Sequence, residues 1–343
     1  MALEARAVRQ TSGSLRVIFM GTPEIAVPTL RALVDAGHEV VAVVTQPDRP
    51  SGRGRTPQPP PVKLAAAELG IRVLQPEKLR GSERLAELRA LEADAIVVAA
   101  FGQLLRPEVL KLTRLGCLNV HPSLLPALRG ASPVNWAILE GLSVTGVSIM
   151  LLDEGMDTGP VLAQEQVPVD PRDDAVSLGE RLGRAGAALL VPTLELWAVG
   201  GITPRPQDSA LATYSRILTR DDGRIAWALP ATEIDRRIRA FVPWPGTYTS
   251  WRGKQMKVLQ ALPSAYDTHS APGTVLGLGT VRGTLAPGSS EDSHQALMIA
   301  TGEGTLAVTR LQMEGKRPVS AGEFVRGYPS IVGVVLDSPP GSA

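Results

Sequence analysis

The apolar positions in the first half of the chain fall into short runs, each closed by glycine or a polar residue. Four runs are largely continuous: Leu15–Gly21, Glu39–Thr45, Ala93–Gly102 and Gly116–Pro122. Continuous apolar runs of this length are typical of strands buried on both faces of a sheet. The segments between them carry apolar residues at helical spacing, and the first ends at Gly37. This alternation predicts an α/β domain in which helices cover a parallel sheet.

The pattern changes after about Val144. Residues 145–169 predict two strands joined by a polar, glycine-rich loop, and a long helix over Ala175–Gly200 closes the first domain. Residues 201–222 are rich in proline and polar residues, which is typical of a linker. One helix follows, and then short strand-like runs cut by glycine, which predict a small barrel.

These changes set the predicted domain boundaries. We expect a disordered tail at residues 1–14, a catalytic domain at 15–200, a linker at 201–222, a C-terminal barrel domain at 223–330 and a tail at 331–343. No apolar run reaches the length of a membrane span, and the first fourteen residues lack the apolar core of a secretory signal. A cytoplasmic protein with no membrane partner is therefore expected.

Charge, cysteine content and missing motifs narrow the function classes. The 343 residues carry a formal net charge of +1, so a site for a polyanion must be local. The single cysteine, Cys117, excludes an intrachain disulfide, and the four histidines are scattered, so no metal site is expected. The first strand is not followed by G-x-G-x-x-G, and G-x-x-x-x-G-K-[ST] does not occur, which argues against dinucleotide enzymes and P-loop NTPases.

Asn119 and His121 are the strongest candidates for chemistry. They lie two residues apart at the end of a predicted strand, so their side chains point to the same side. Ligand sites in open α/β sheets form at this edge. An imidazole exchanges protons near pH 7, and an amide donates to a developing oxyanion without changing charge. The pair predicts a catalytic site, and Ser123–Pro126 offers a half-apolar wall for a flat ring system.

A carboxylate beside His121 would fix the orientation of its imidazole. The loop "LLDEGMDTGPV" offers Asp153, Glu154 and Asp157, of which Glu154 is interpreted as a solvated loop residue. Asp157 precedes a Thr-Gly-Pro sequence at which the chain must turn sharply. The residues alone leave open which acid reaches His121.

A basic, proline-rich tract spans Gln46–Lys63. It holds Arg49, Arg53, Arg55 and Lys63 against Asp48, so its local charge is four minus one, +3. A tract of this kind is either a solvated surface loop or a segment that closes on a phosphate backbone. Its position after the second strand puts it on the same rim as His121, which favours the phosphate interpretation.

Longer stretches of the chain match a known pattern. "NVHPSLLPALRGASPVNWAILEG" and "DEGMDTGPVL", together with "FMGTPEIAVPTL", "TQPDRPSGRGR", "FVPWPGT" and "GKRPVSAGEF", resemble the folate-dependent formyltransferase family from about Leu15 to Tyr328. The resemblance implies a Rossmann-like, mostly parallel domain that binds 10-formyltetrahydrofolate, and a C-terminal OB-like β-barrel domain that helps to hold tRNA. It also implies formyl transfer to the α-amino group of methionyl-initiator-tRNA, the step that prepares it for translation initiation.

The resemblance also implies roles for individual residues. The catalytic set corresponds to Asn119, His121 and Asp157. The folate-binding signature corresponds to Ser123, Leu124, Leu125 and Pro126, and Phe101–Leu105 is expected to wall the pterin. The segment that enters the tRNA acceptor stem corresponds to Arg49, Arg53 and Arg55. Pro122 stands where many members have glycine, a departure that related formyltransferases share.

Two other functions stay open at this point. Another formyltransferase or a hydrolase that uses 10-formyltetrahydrofolate would share "HPSLLP". A non-catalytic RNA-binding protein built on the barrel would need no set of Asn119, His121 and Asp157, so the intact set counts against it. For the enzyme we expect a monomer that uses the folate as a co-substrate and needs no metal.

Overall fold

The computed structural model describes residues 13–51 and 56–337. They form two compact units. The first comprises the residues up to Pro133 with Val144–Pro168 and Gly179–Arg216, and the second comprises Val134–Ser143, Val169–Leu178 and the residues from Ile217 onwards. Two short segments inside the predicted first domain therefore group with the second unit, an arrangement that the sequence did not predict.

The first unit is built on a mostly parallel sheet. Its strands are β1 (Arg16–Gly21), β2 (Glu39–Val44), β3 (Arg49–Ser51), β4 (Thr56–Gln58), β5 (Val73–Leu74), β6 (Ala95–Ala99), β7 (Cys117–His121), β8 (Arg129–Gly130), β9 (Val144–Leu151), β10 (Val161–Pro168) and β11 (Tyr214–Ser215). Seven of these described strands form one sheet in the order β10-β9-β7-β6-β1-β2-β5. Strands β7 to β5 run parallel, and β9 and β10 add antiparallel pairs at one edge. The predicted Rossmann-like fold class is confirmed.

Helices follow most strands of this sheet. They are α1 (Val27–Asp35), α2 (Pro61–Glu68), α3 (Ser82–Arg89), α4 (Pro107–Leu110), α5 (Pro133–Leu139) and α6 (Ala175–Ala198). Three of them begin at proline, which fits because the first residue of a helix needs no partner for its N–H. The long helix α6 ends two residues before its predicted end and contains Pro192.

Two small strand pairs complete the first unit near the carboxyl ends of the large sheet. The hairpin β3–β4 pairs Arg49 with Gln58. Strands β8 and β11 run parallel, with Tyr214 opposite Arg129 and Ser215 opposite Gly130. Because β8 follows β7 closely in the chain, β11 supports the loop that leaves the end of β7.

From Ile217 onwards, the described part of the second unit is an antiparallel β domain with two α-helices, and the segment Val134–Ser143 adds most of α5 to it. Its elements are α7 (Ala231–Ala240), β12 (Thr247–Trp251), β13 (Lys254–Ser264), β14 (Val275–Gly283), β15 (Asp292–Ala300), β16 (Thr305–Met313), β17 (Val319–Ser320) and α8 (Ala321–Gly327). Among the described strands, the sheet runs β12-β13-β16-β15-β14, and β17 pairs with β16. Trp227, Phe324 and aliphatic side chains from the sheet form its buried core. The predicted fold class, in which one helix is followed by an OB-like β domain, is confirmed by this antiparallel sheet.

Buried ion pairs explain why Val169–Leu178 groups with the second unit. Arg172 Nη1 lies 3.0 Å from Asp235 Oδ1 on α7, and Arg239 Nε lies 3.0 Å from Asp235 Oδ2. Arg239 also donates to the carbonyl of Asp173 at 2.8 Å. The Asp235 side chain is 5% exposed, so both guanidinium groups compensate the charge of a buried carboxylate.

The structure changes the predicted linker and the predicted C-terminal tail. Residues 201–216 belong to the first unit, because Arg205 exchanges backbone hydrogen bonds with Val161 and β11 pairs with β8. Within the predicted tail 331–343, Ile331 and Leu336 are buried in the core of the second unit. A single buried apolar residue in a polar segment gives no periodic signal. The sequence pattern therefore did not predict that residues 201–216 and the segment from Ile331 to Leu336 pack against the two units.

Candidate active site

Asn119 and His121 lie on the last three residues of β7, between β6 and β9 in the sheet. Both are buried, with 9% and 4% of their surfaces exposed. Strand geometry directs the two side chains to one side of the sheet. None of the described residues hydrogen-bonds the Asn119 side-chain amide, so both its donor and its acceptor are available to a ligand.

The two ring nitrogens of His121 have different surroundings. Nε2 lies 3.0 Å from the carbonyl oxygen of Leu128. Because a carbonyl only accepts, Nε2 carries a proton and donates it there. Nδ1 faces Asp157, with 3.7 Å between Nδ1 and Oδ1. In the neutral ring Nδ1 is therefore the nitrogen with a free lone pair, and in the protonated ring it points its N–H at a carboxylate.

Asp157 is the acid that reaches His121. Its Oδ2 accepts a hydrogen bond of 2.9 Å from the backbone N–H of Gly130, and its backbone adopts a positive φ of 53°. Asp153 has a different task, since its Oδ1 accepts from the N–H of Gly155 and from the hydroxyl of Thr158 and so closes the loop. The question that the sequence left open is thereby answered by loop geometry.

Hydrogen bonds from Gln207 fix the Asp157 loop, and Arg129 in turn fixes Gln207. Gln207 Nε2 donates to the carbonyls of Asp157 and Gly159 at 2.8 and 2.7 Å. Its Oε1 accepts two hydrogen bonds from Arg129, a side chain that is 1% exposed. Sequence reasoning missed both residues, because Gln207 lies in the predicted linker, 50 positions from Asp157. The run "LRG" after "SLLPA" was the one local signal for Arg129.

The segment Ser123–Pro126 forms a buried turn. Ser123 Oγ donates to the carbonyl of Ala127 at 2.6 Å, and Leu125 is packed in a small apolar cluster. The hydroxyl of Ser148 on β9 bonds the backbone of both Ser123 and Leu125. The side chains of Ser123 and Leu125 therefore shape the turn, while Leu124 and Pro126 are half-buried.

The predicted pterin wall Phe101–Leu105 divides into buried and exposed parts. Phe101 is 2% exposed and packs in the core, and its carbonyl accepts from the amide of Gln46 at 3.3 Å. Leu104, in contrast, exposes 80% of its surface. The side chain of Phe101 is thus an anchor for this loop, and Leu104 is its large exposed apolar side chain.

The basic tract begins as the β3–β4 hairpin. Arg49 is exposed on β3, whereas Arg53 and Arg55 lie outside the described residues. Lys63 does not add a free charge, because its Nζ lies 2.8 Å from both carboxyl oxygens of Asp48. Hydrogen bonds from Gln75 and Lys63 hold the pKa of the Asp48 carboxyl below its usual value. The predicted cationic tract is therefore reduced to its arginines.

Cys117 and the acidic residues do not form a competing centre. Cys117 is 2% exposed, and burial raises the pKa of its thiol to about 12, so it is packed and unreactive. Among the described residues, no group of three or more His, Cys, Asp or Glu side chains has the proximity needed to hold a metal ion. In the same part of the chain, no helix combines the length and apolarity of a membrane span.

Similarity to solved structures reports on the fold. HypX from Aquifex aeolicus in complex with tetrahydrofolic acid superposes with a TM-score of 0.61 at 19% identity, covering 93% of this chain and 48% of that chain. The chain thus spans about half the length of HypX. WlaRD, a sugar 3N-formyl transferase, gives a TM-score of 0.59 at 16% identity, over 89% of this chain and 100% of that chain.

Sequence similarity reports on the family. Residues 15–194 match the family model described as formyl transferase, and residues 217–329 match that of the formyl transferase C-terminal domain. The methionyl-tRNA formyltransferase of Chloroflexus aurantiacus is 47% identical over 91% of this chain and 97% of its own length. That of a Roseiflexus species is 48% identical, over 91% of this chain and 92% of its own length. The chain therefore belongs to the formyl transferase family, among the methionyl-tRNA formyltransferases.

Proposed function

We propose that this protein transfers the formyl group of 10-formyltetrahydrofolate to the α-amino group of methionyl-initiator-tRNA, giving N-formylmethionyl-tRNA. The observation that carries the proposal is the meeting of His121 Nδ1 with the Asp157 carboxylate, beside the unpartnered amide of Asn119. This trio offers a proton acceptor, its stabilising charge and an uncharged donor for an oxygen. Acyl transfer to an amine needs these three functions.

Asn119 acts on the formyl oxygen. When the amine attacks the formyl carbon, this oxygen gains negative charge, and a fixed amide N–H stabilises it without reorganisation. The absence of a competing partner for the amide among the described residues supports this role. The rigid position of β7 between two neighbouring strands keeps the donor in place.

His121 acts on the attacking amine through Nδ1. Its Nε2 proton is held by the Leu128 carbonyl, so a proton taken from the amine goes to Nδ1. Asp157 then faces the resulting imidazolium across 3.7 Å and stabilises it. When the bond between the formyl carbon and N10 of the folate breaks, the departing N10 takes this proton from Nδ1, so that tetrahydrofolate leaves and His121 returns to its neutral form. The hydrogen bond at Nε2 therefore supports a proton-accepting role for Nδ1.

The substrates meet the protein on the same edge of the sheet. The turn at Ser123–Pro126 and the exposed Leu104 are proposed to line the folate. The arginines of the basic tract, Arg49, Arg53 and Arg55, are proposed to bind tRNA phosphates, which position a nucleic acid but carry little sequence information. A cytoplasmic monomer fits this role.

The test is formation of formylmethionyl-tRNA from 10-formyltetrahydrofolate and charged initiator tRNA. We expect turnover by the wild type, and a loss of roughly 10²–10³ in kcat/KM for Asn119→Ala and at least as much for His121→Ala. His269→Ala removes an exposed histidine of the second unit and is the matched control, with unchanged rates expected. Consumption of folate by the wild type without formylated tRNA would instead support the hydrolase alternative.

A further inference from the structure

Met156 is an exposed apolar side chain immediately before Asp157. It leaves 54% of its surface exposed, in the loop between β9 and β10. The loop is fixed by Asp153, which accepts hydrogen bonds from the N–H of Gly155 and the hydroxyl of Thr158. The Met156 side chain is therefore presented to solvent by a rigid frame and does not contribute to the core.

Gly130 defines where the Met156 thioether lies. A Cβ built on Gly130 would come within 3.5 Å of Met156 Sδ, so the side chain passes over this glycine. The N–H of the same glycine holds Asp157 Oδ2 at 2.9 Å. Gly130 thus contacts both the Met156 thioether and the Asp157 carboxylate. The apolar surface of Met156 therefore lies beside the carboxylate that faces His121.

The covalent structure of the aminoacyl group that accepts the formyl group places its side chain near Met156 and Asp157. In an aminoacyl ester the α-nitrogen and Cβ are bonded to the same carbon, so they are roughly 2.5 Å apart. An amine that gives its proton to His121 beside Asp157 therefore brings the first atoms of its side chain to the flank of Asp157. Of the residues adjoining Asp157 in the loop, Met156 is the one with a large exposed apolar surface.

We propose that Met156 forms the wall of the subsite that receives the methionyl side chain and so helps to select the aminoacyl group. This inference rests on the proposed function. An unbranched, polarisable thioether packs well against a flexible aliphatic chain and offers no hydrogen bond to a polar one. The subsite thus favours a long apolar side chain over a short or a polar one.

Acceptors that differ in one side chain test the proposal. The same initiator tRNA is charged with methionine, norleucine or alanine, and kcat/KM is measured for the wild type and for Met156→Ala. We expect the variant to lose about ten-fold with methionyl- and norleucyl-tRNA and less than about two-fold with alanyl-tRNA, because alanine has no chain to contact. Met156→Leu is expected to retain most of the preference.

Two comparisons separate the possible outcomes. Glu154→Ala alters an exposed residue of the same loop and is expected to change none of the three rates. An equal loss with all acceptors in Met156→Ala, or no loss with any, overturns the proposed subsite. If the wild type formylates none of the charged tRNAs, the proposed function itself fails, and this result is distinct because it appears before any variant is compared.

Discussion

At the scale of single residues, the surroundings of each titratable atom decide what it can do. His121 was predictable as a candidate because strand alternation alone places it beside Asn119. The division of labour between its nitrogens was not, because the Leu128 carbonyl reaches Nε2 through a turn at positive φ that leaves no periodic trace in the sequence. Gln207 was beyond prediction for a similar reason, since its contacts to the Asp157 loop are nonlocal.

His38 is a second histidine whose state is set by burial. It is 7% exposed, and its Nδ1 accepts the N–H of Leu15 at 3.4 Å, so its neutral ring carries the proton on Nε2. No described residue hydrogen-bonds that Nε2. Burial lowers the pKa of His38, and the nearby charge of Glu195 opposes this effect only in part.

Stability should therefore depend on pH through His38. Below about 6.5, the pKa of a free histidine, the unfolded chain binds a proton that the folded chain resists, so the free energy of unfolding falls as the pH falls. Urea unfolding at pH 7.5 and 5.5 should show a larger loss for the wild type than for His38→Gln, which does not titrate. Equal losses of unfolding free energy in the wild type and the variant would contradict this, because they would mean that His38 binds its proton equally well in the folded and the unfolded chain.

At the scale of elements, the major strands and helices follow directly from apolar patterning. β1, β2, β6 and β7 coincide with continuous apolar runs, and α6 follows helical spacing for 24 residues. The pair β8–β11 does not, because two-residue strands have no period to detect. Yet this pair carries the support of the site, since Gly130 in β8 holds Asp157.

Gly130→Ala should separate β8 from β11. Gly130 has a φ of 109°, and an added Cβ would lie 2.5 Å from the carbonyl oxygen of Ser215, closer than atoms can approach. We expect the unfolding free energy to fall by more than about 1 kcal/mol and formyl transfer to fall at least about ten-fold, because the Gly130 N–H moves away from Asp157. Chemical denaturation and steady-state kinetics measure the two effects.

A glycine that tolerates a methyl group provides the control for this substitution. Gly327 at the end of α8 has no heavy atom within 4 Å of an added Cβ, so Gly327→Ala should preserve both stability and activity. Wild-type kinetics in Gly130→Ala would mean that Asp157 keeps its place without the Gly130 N–H.

At the scale of the whole molecule, a net charge of +1 cannot attract a polyanion from a distance. The tRNA site proposed above is therefore a local one, and the pairing of Lys63 with Asp48 leaves its positive charge to the arginines of the basic tract. The net charge of +3 expected for this tract is unchanged by the Lys63–Asp48 ion pair, which removes one charge of each sign and leaves the excess on Arg49, Arg53 and Arg55.

Arg53→Ala should weaken tRNA use in a salt-dependent manner. Loss of one phosphate contact lowers the slope of log affinity against log salt by roughly 1 and leaves the KM for the folate unchanged. Binding of initiator tRNA between 50 and 200 mM salt measures this slope. Arg89→Ala removes an equal charge from the exposed face of α3 and should keep the wild-type slope; a folate defect in Arg53→Ala would contradict the assignment.

The interleaved boundaries of the two units have a consequence for biosynthesis. Arg172 binds Asp235, which is synthesised 63 residues later, and Asn135 donates to the carbonyl of Ala240, which is synthesised 105 residues later. A ribosome delivers these partners well after the segments themselves have emerged. Until then, Val134–Ser143 and Val169–Leu178 lack the partners that they have in the second unit. We therefore expect chaperones to bind the nascent chain at these two segments during translation.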